Sequence, residues 1–296
     1  MENLFRTKNE KWIRIQSNLL FIGVAELLIY NGSLMIKYNV QHFIDFFTPL
    51  VGETYGIHYN ANFWIIIPVL ISLAFMKATC PGALKALKEG TFARMMKALL
   101  VGFVMGLASV GLLTFLAWIS GAMTFSYAGL DWQLIPVIIP LFIQCTAEEI
   151  LLRGYVPAVM EKNHSWDAVC FVSGTLFIFH HVVNMAHYGF SSMFCLVVFL
   201  LGALFCLLIR REGCFWIACG MHTGWNYMQM YVFGVSNSGQ PADVGLFRGT
   251  LNTGNIFYHE VYGYEGSLSA AVLALILIIW LAHSLAGKEN KEAQQD

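Results

Sequence analysis

Runs of about 20 apolar residues recur along this chain, each long enough as a helix to cross the hydrocarbon core of a bilayer. Eight are legible, over residues 15–36, 61–77, 98–120, 133–160, 166–188, 191–209, 213–232 and 268–286. Hydrophobic residues make up 57% of the 296 and charged residues 12%, the balance of a protein solvated by lipid. A backbone inside lipid must satisfy its own hydrogen bonds. An all-α polytopic membrane bundle of about eight transmembrane helices is therefore expected.

An even number of spans puts both termini on one side. Fifteen of the 17 lysines and arginines fall in the terminal and alternate loops, and only Lys37 and Arg248 fall on the other side. By the positive-inside bias, the N and C termini are cytoplasmic. The opening "MENLFRTKNEKWIR" is polar for longer than the charged region of a cleaved signal, so the first span is expected to stay. With no repeat and no linker, residues 1–296 read as a single membrane domain. Its extracytoplasmic loop, about 233–267, is rich in Gly and Asn and long enough to be functional. The net charge of −1 argues neither for nor against an acidic partner, and with no basic stretch carrying interleaved aromatics, nucleic acid is not expected as a partner. Seven cysteines without a CxxC pattern read as free, packed thiols.

Charge inside a membrane helix costs about 2.5 to 3.5 kcal/mol, so each charged residue there needs a partner or a purpose. In "AEEILLRG", residues 147–154, Glu149 precedes Arg153 by four and shares its face, whereas Glu148 points about 100° away. One reading is a helix end leaving the bilayer. The next span favours another. Glu148 lies 15 residues before Asn163 and His181 lies 15 after Trp166, so an antiparallel hairpin sets the two at equal depth. Only one of the adjacent His180 and His181 is expected to face Glu148, since neighbours on a helix diverge.

His222 and Asn226, four apart in "CGMHTGWNYMQ", reach a similar level and share a face. Interhelical hydrogen bonding is the plainer role for such residues. It does not explain why three polar islands coincide in depth. Glu26, mid-span in "FIGVAELLIYNG", has no evident cation and is expected to give structural support.

Together these residues permit hydrolysis of an acyl bond. A carboxylate away from bulk water is a stronger base, so Glu148 can deprotonate a water. His181 can orient that water or protonate a leaving amine, and His222 with Asn226 can donate hydrogen bonds to an oxyanion.

"EEILLR", "FIFHH" and "HTGWN" resemble the EExxxR, FxxxH and HxxxN motifs of the CAAX protease and bacteriocin-processing family, also called CPBP or Abi, in its bacterial form. The resemblance centres on a catalytic core of about 133–232. It implies an intramembrane endopeptidase that acts near the cytoplasmic side, in a bacterial plasma membrane. Glu148 would be the catalytic glutamate and His181, four after Phe177, its partner. His222 with Asn226 would form the oxyanion hole. Glu149, Arg153 and His180 would support them. A peptide or membrane-protein substrate follows; a prenyl group on it does not.

No cofactor is expected. The alternative is a zinc peptidase with Glu148, His181 and His222 as ligands, against which stand the missing HExxH and the poor ligand Asn226. A non-catalytic immunity or scaffold protein is the alternative from another class.

Overall fold

The computed structural model describes residues 15–88, 90–252 and 255–292. Arg6, Lys8, Lys11 and Arg14, which contribute to the charge asymmetry, lie outside these. The chain is an all-α polytopic membrane bundle, and among the described residues six helices are long and apolar enough to cross a membrane. They are Glu53–Thr79, Phe92–Ile119, Trp132–Met160, Trp166–Tyr188, Ser192–Glu212 and Leu268–Lys288.

The other two predicted spans are helical but different in kind. The first runs as α1 (Leu19–Ala25), a π-turn (Glu26–Asn31) and α2 (Gly32–Phe43). It buries Glu26, Ser33 and Lys37 and leaves Leu28 and Met35 exposed, at 68% and 71%. Such an inverted pattern suits a helix whose outer face meets lipid and whose inner face meets polar groups. The seventh predicted span consists of 12 residues of α-helix, Trp216–Tyr227, and a five-residue π-turn, Met228–Val232.

Four elements build the interior: α3 (Phe92–Ile119), α4 (Ile138–Glu149), α5 (Trp166–His180) and α6 (Ser192–Glu212). Against α3 packs α7, the Trp216–Tyr227 helix. Glycines decide that crossing. A Cβ added at Gly102 would lie 2.1 Å from the Ile217 carbonyl oxygen, and one at Gly220 2.1 Å from that of Leu99. Gly106 meets Met221 and Gly224 meets Phe103 in the same way. Two Gly-x-x-x-Gly stripes thus let the backbones touch, which holds His222, between Gly220 and Gly224, at a fixed depth.

The two ends differ in charge and in connection. At one end Arg94 donates to the Glu212 carbonyl (2.9 Å), Trp216 to that of Leu87 (2.8 Å), and Arg211 to Ser284 (3.1 Å). At the other end a two-stranded antiparallel ribbon, β1 (Met123–Tyr127) with β2 (Phe247–Leu251), closes over the bundle. There Asn184 donates to the Ser238 carbonyl (2.7 Å) and His58 pairs with Asp243 (2.5 Å). The cations gather at the first end.

Replacing Gly220 and Gly224 by alanine is expected to lower the melting temperature in detergent, since each overpacked Cβ costs about 1 to 3 kcal/mol. Gly111→Ala is the control, because its Cβ would meet only Met228 Cε, at 3.6 Å. Equal melting of all three variants contradicts the packing account.

Candidate functional site

A cavity of about 100 Å³ lies among the helices, with Glu148, His180, His181, His222 and Asn226 all in its wall. The polar islands of three separate spans therefore meet at one level. Local structure explains how. α4 ends at Glu149 and continues as a π-turn, Ile150–Tyr155, which carries Arg153. Further π-turns begin at Glu26 and at Met228, two residues after Asn226. A π-turn inserts an extra residue into the helical ladder and re-aims the side chains beside it.

Glu148 is buried, 7% exposed. One carboxylate oxygen accepts from the Gln144 side-chain amide. The other, Oε2, has no hydrogen-bond partner in the protein and lies 3.8 Å from His180 Nε2 and 3.9 Å from His222 Nε2. The site therefore presents a carboxylate oxygen flanked by two imidazole nitrogens, each too far for a direct hydrogen bond.

Behind each flanking imidazole stands a second carboxylate. Glu26 Oε1 is 2.7 Å from His180 Nδ1, and Glu149 Oε1 is 2.9 Å from His222 Nδ1. An ionised carboxylate only accepts, so in both rings Nδ1 carries the proton and Nε2 is the nitrogen turned toward Glu148. His181 Nδ1 donates in turn to the Phe177 carbonyl at 2.9 Å. All three histidines share one tautomeric arrangement.

Both adjacent histidines reach the cavity, contrary to the expectation that only one can. α5 stops at His180, and His181 (φ −96°, ψ 10°) breaks the helix before Val182–Tyr188 resumes. The break cancels the usual divergence of neighbours. It also brings His180 rather than His181 within 3.8 Å of Glu148, so the zinc set read from the sequence needs His180 in place of His181. Among the described residues, no group of three His, Cys, Asp or Glu side chains is close enough to hold a metal.

Glu149 and Arg153 pair as their spacing requires, Oε1 to Nη1 at 3.3 Å, with both side chains fully buried. The guanidinium lies over the Phe177 ring (4.3 Å) and near that of Phe205 (5.6 Å). A Cβ at Gly202 would come within 2.9 Å of Arg153 Nη2, so glycine leaves the room. The partner role of Glu149 was legible, and its bond to His222 was not.

Sequence reasoning also missed Glu26 as the partner of His180, although a lone mid-span carboxylate was the signal. Tyr30 joins it, its ring 3.6 Å from that of His180. From the long loop come Asn237, which donates to Asn226 Oδ1 (3.1 Å), and Glu265. Glu265 accepts from Trp225 (2.6 Å), Gln229 (3.0 Å) and Asn237 (3.1 Å). With its carbonyl oxygen engaged by Asn237 and one amide hydrogen donated to Cys145 Sγ (3.5 Å), Asn226 keeps its second amide hydrogen for another acceptor. Nothing in the local sequence marks Glu265 or Asn237 apart from the length of their loop.

Two predictions follow from these contacts. Glu149→Ala and Arg153→Ala each strand a buried charge and are expected to cost about 3 to 5 kcal/mol. Glu149→Leu with Arg153→Met should restore much of that stability but not activity, because His222 still lacks its acceptor. Melting and turnover of the purified variants check this, and a stable, active double variant contradicts it. Burial raises the Glu265 carboxyl above its ordinary 4.5. The folded state therefore keeps a proton that the unfolded chain releases, so stability is full below that value and declines as pH rises through the folded one. Glu265→Gln should flatten the decline in melting temperature from acid to neutral pH; an unchanged slope would reject this.

Residues 130–228 match the family described as Type II CAAX prenyl endopeptidase Rce1-like, and that stretch contains every site residue named from the three motifs. No curated protein and no solved structure matches the chain.

Proposed function

Because residues 130–228 belong to the CAAX protease (CPBP) family, we propose that the chain is an intramembrane endopeptidase that hydrolyses peptide bonds with a glutamate-activated water. The observation that carries the reading is Glu148 Oε2, unpartnered and flanked by His180 Nε2 and His222 Nε2 at 3.8 and 3.9 Å. Separations of that size suit a bridging water.

Glu148 takes a proton from the water as its oxygen bonds to the scissile carbonyl carbon. The negative charge moves to the former carbonyl oxygen. Asn226 Nδ2 donates to it, and His222 does so from Nε2 when both of its nitrogens are protonated, a form that Glu149 stabilises. His181, or His180 held by Glu26, relays the proton to the leaving nitrogen as the C–N bond breaks. The products are a carboxylate and an amine.

In the membrane, the cation-rich end faces the cytoplasm by the positive-inside bias. The cavity wall reaches Lys37, Tyr38, Asn62 and Gln240 at the opposite end. In that orientation the substrate enters from the outer face, not from the cytoplasmic side that the family resemblance implies.

A zinc-dependent peptidase is the second reading. What favours it is the carboxylate behind each flanking imidazole, the outer-shell arrangement that orients metal-bound histidines. Glu148, His180 and His222 would have to draw closer than they stand here to hold the ion, which would then polarise the carbonyl and acidify the water.

Cleavage of a peptide set by the purified protein tests the proposal. Glu148→Gln should keep the fold and retain less than a tenth of the wild-type rate. His180→Ala and His181→Ala should both lower turnover, and chelation should leave wild-type activity intact. Hydrolysis by Glu148→Gln near the wild-type rate overturns the assignment. Loss on chelation, restored by zinc, selects the second reading.

A further inference from the structure

Among the described residues, Lys37 and Arg248 are the two cations at the cation-poor end, and Arg248 donates to the Asp243 carbonyl. Lys37 is 5% exposed and lies in the cavity wall. Its Nζ sits 4.4 Å from the Tyr38 ring centroid, a contact that holds a cation without neutralising it. None of the ion pairs among the described residues includes it. An ammonium buried beside lipid without an anion is costly. A lysine serving only as an interfacial anchor would extend its head outward to water, whereas this one is buried and lines the cavity.

We infer that Lys37 is an anion subsite of the substrate cavity and takes one carboxylate of the bound peptide. The inference rests on the peptidase reading for the nature of the ligand, but not on turnover. The same wall includes Gln240 and Asn62, the latter also donating to the Tyr231 hydroxyl (3.3 Å), and their amides donate without adding charge. One ammonium with neutral donors matches the single charge of a carboxylate better than the nearly double charge of a phosphate. The same helix supplies the scale. Tyr30 packs on His180 at the level of Glu148, and Lys37 follows seven residues later, about 10 Å along the axis. An extended peptide covers that distance in about three residues. The carboxylate bound by Lys37 thus lies about three residues from the scissile bond, either on an acidic side chain or at the chain terminus.

Binding tests this without catalysis. Dye-labelled apolar peptides of one sequence, carrying a single Glu, Gln or Lys at successive positions and ending as free acid or amide, are titrated by anisotropy into the full chain in detergent, on a Glu148→Gln background. Peptides with a carboxylate at the matching position should bind at least about tenfold tighter than their neutral twins. A Glu position or a free-acid end that carries the gain identifies the source. Lys37→Gln should abolish the preference, and Lys37→Glu should transfer it to the Lys peptide. An absent preference in the Lys37 protein, or one that survives Lys37→Gln, overturns the inference. Failure of wild type to cleave any peptide would count against the peptidase reading and leave this result standing.

Discussion

One carboxylate oxygen, Glu149 Oε1, accepts from both Arg153 and His222. The rest of the site depends on that sharing. Arg153 is fully buried inside a membrane bundle, so without Glu149 its charge would have only the faces of Phe177 and Phe205. With Glu149 in place, the cation fixes the carboxylate and the carboxylate fixes an imidazole on another helix. A structural pair becomes the anchor of a candidate catalytic residue.

The same device occurs twice. Glu26 stands behind His180 as Glu149 stands behind His222, so the two flanking imidazoles turn the same nitrogen toward Glu148. The π-turns at 26–31 and 150–155 lie where these carboxylates must be aimed inward. His181 differs in being held by a backbone carbonyl at a helix break. Glu148, in the cavity wall, has an oxygen without a hydrogen-bond partner in the protein and two imidazoles near it, which suits a base that must exchange a proton.

Much of this was legible in the sequence because membrane chemistry penalises charge so heavily. The eight apolar runs gave the bundle, the four-residue spacing gave the Glu149–Arg153 pair, and equal counts from the turn set Glu148 level with the histidines. The approach of His180 was not legible, because it follows from a helix break that no Gly or Pro announces. Glu26 was visible as a charge but not as a partner, since the contact joins residues 154 apart in the chain. The Gly-x-x-x-Gly stripes at Gly102/Gly106 and Gly220/Gly224 were present in the sequence and became informative once α3 and α7 were seen to cross there. Asn237 and Glu265 sit in a loop whose composition resembles any polar connection.

The central claim is that carboxylates behind the histidines set their protonation pattern. Nitrogen-15 solid-state NMR of the histidines, in lipid, measures that pattern directly, with His222 and His180 assigned by difference from single substitutions. A proton on Nδ1 of both rings is predicted, with the His222 signal shifting in Glu149→Leu/Arg153→Met and the His180 signal in Glu26→Gln. Neutral rings protonated only at Nε2 would contradict the account.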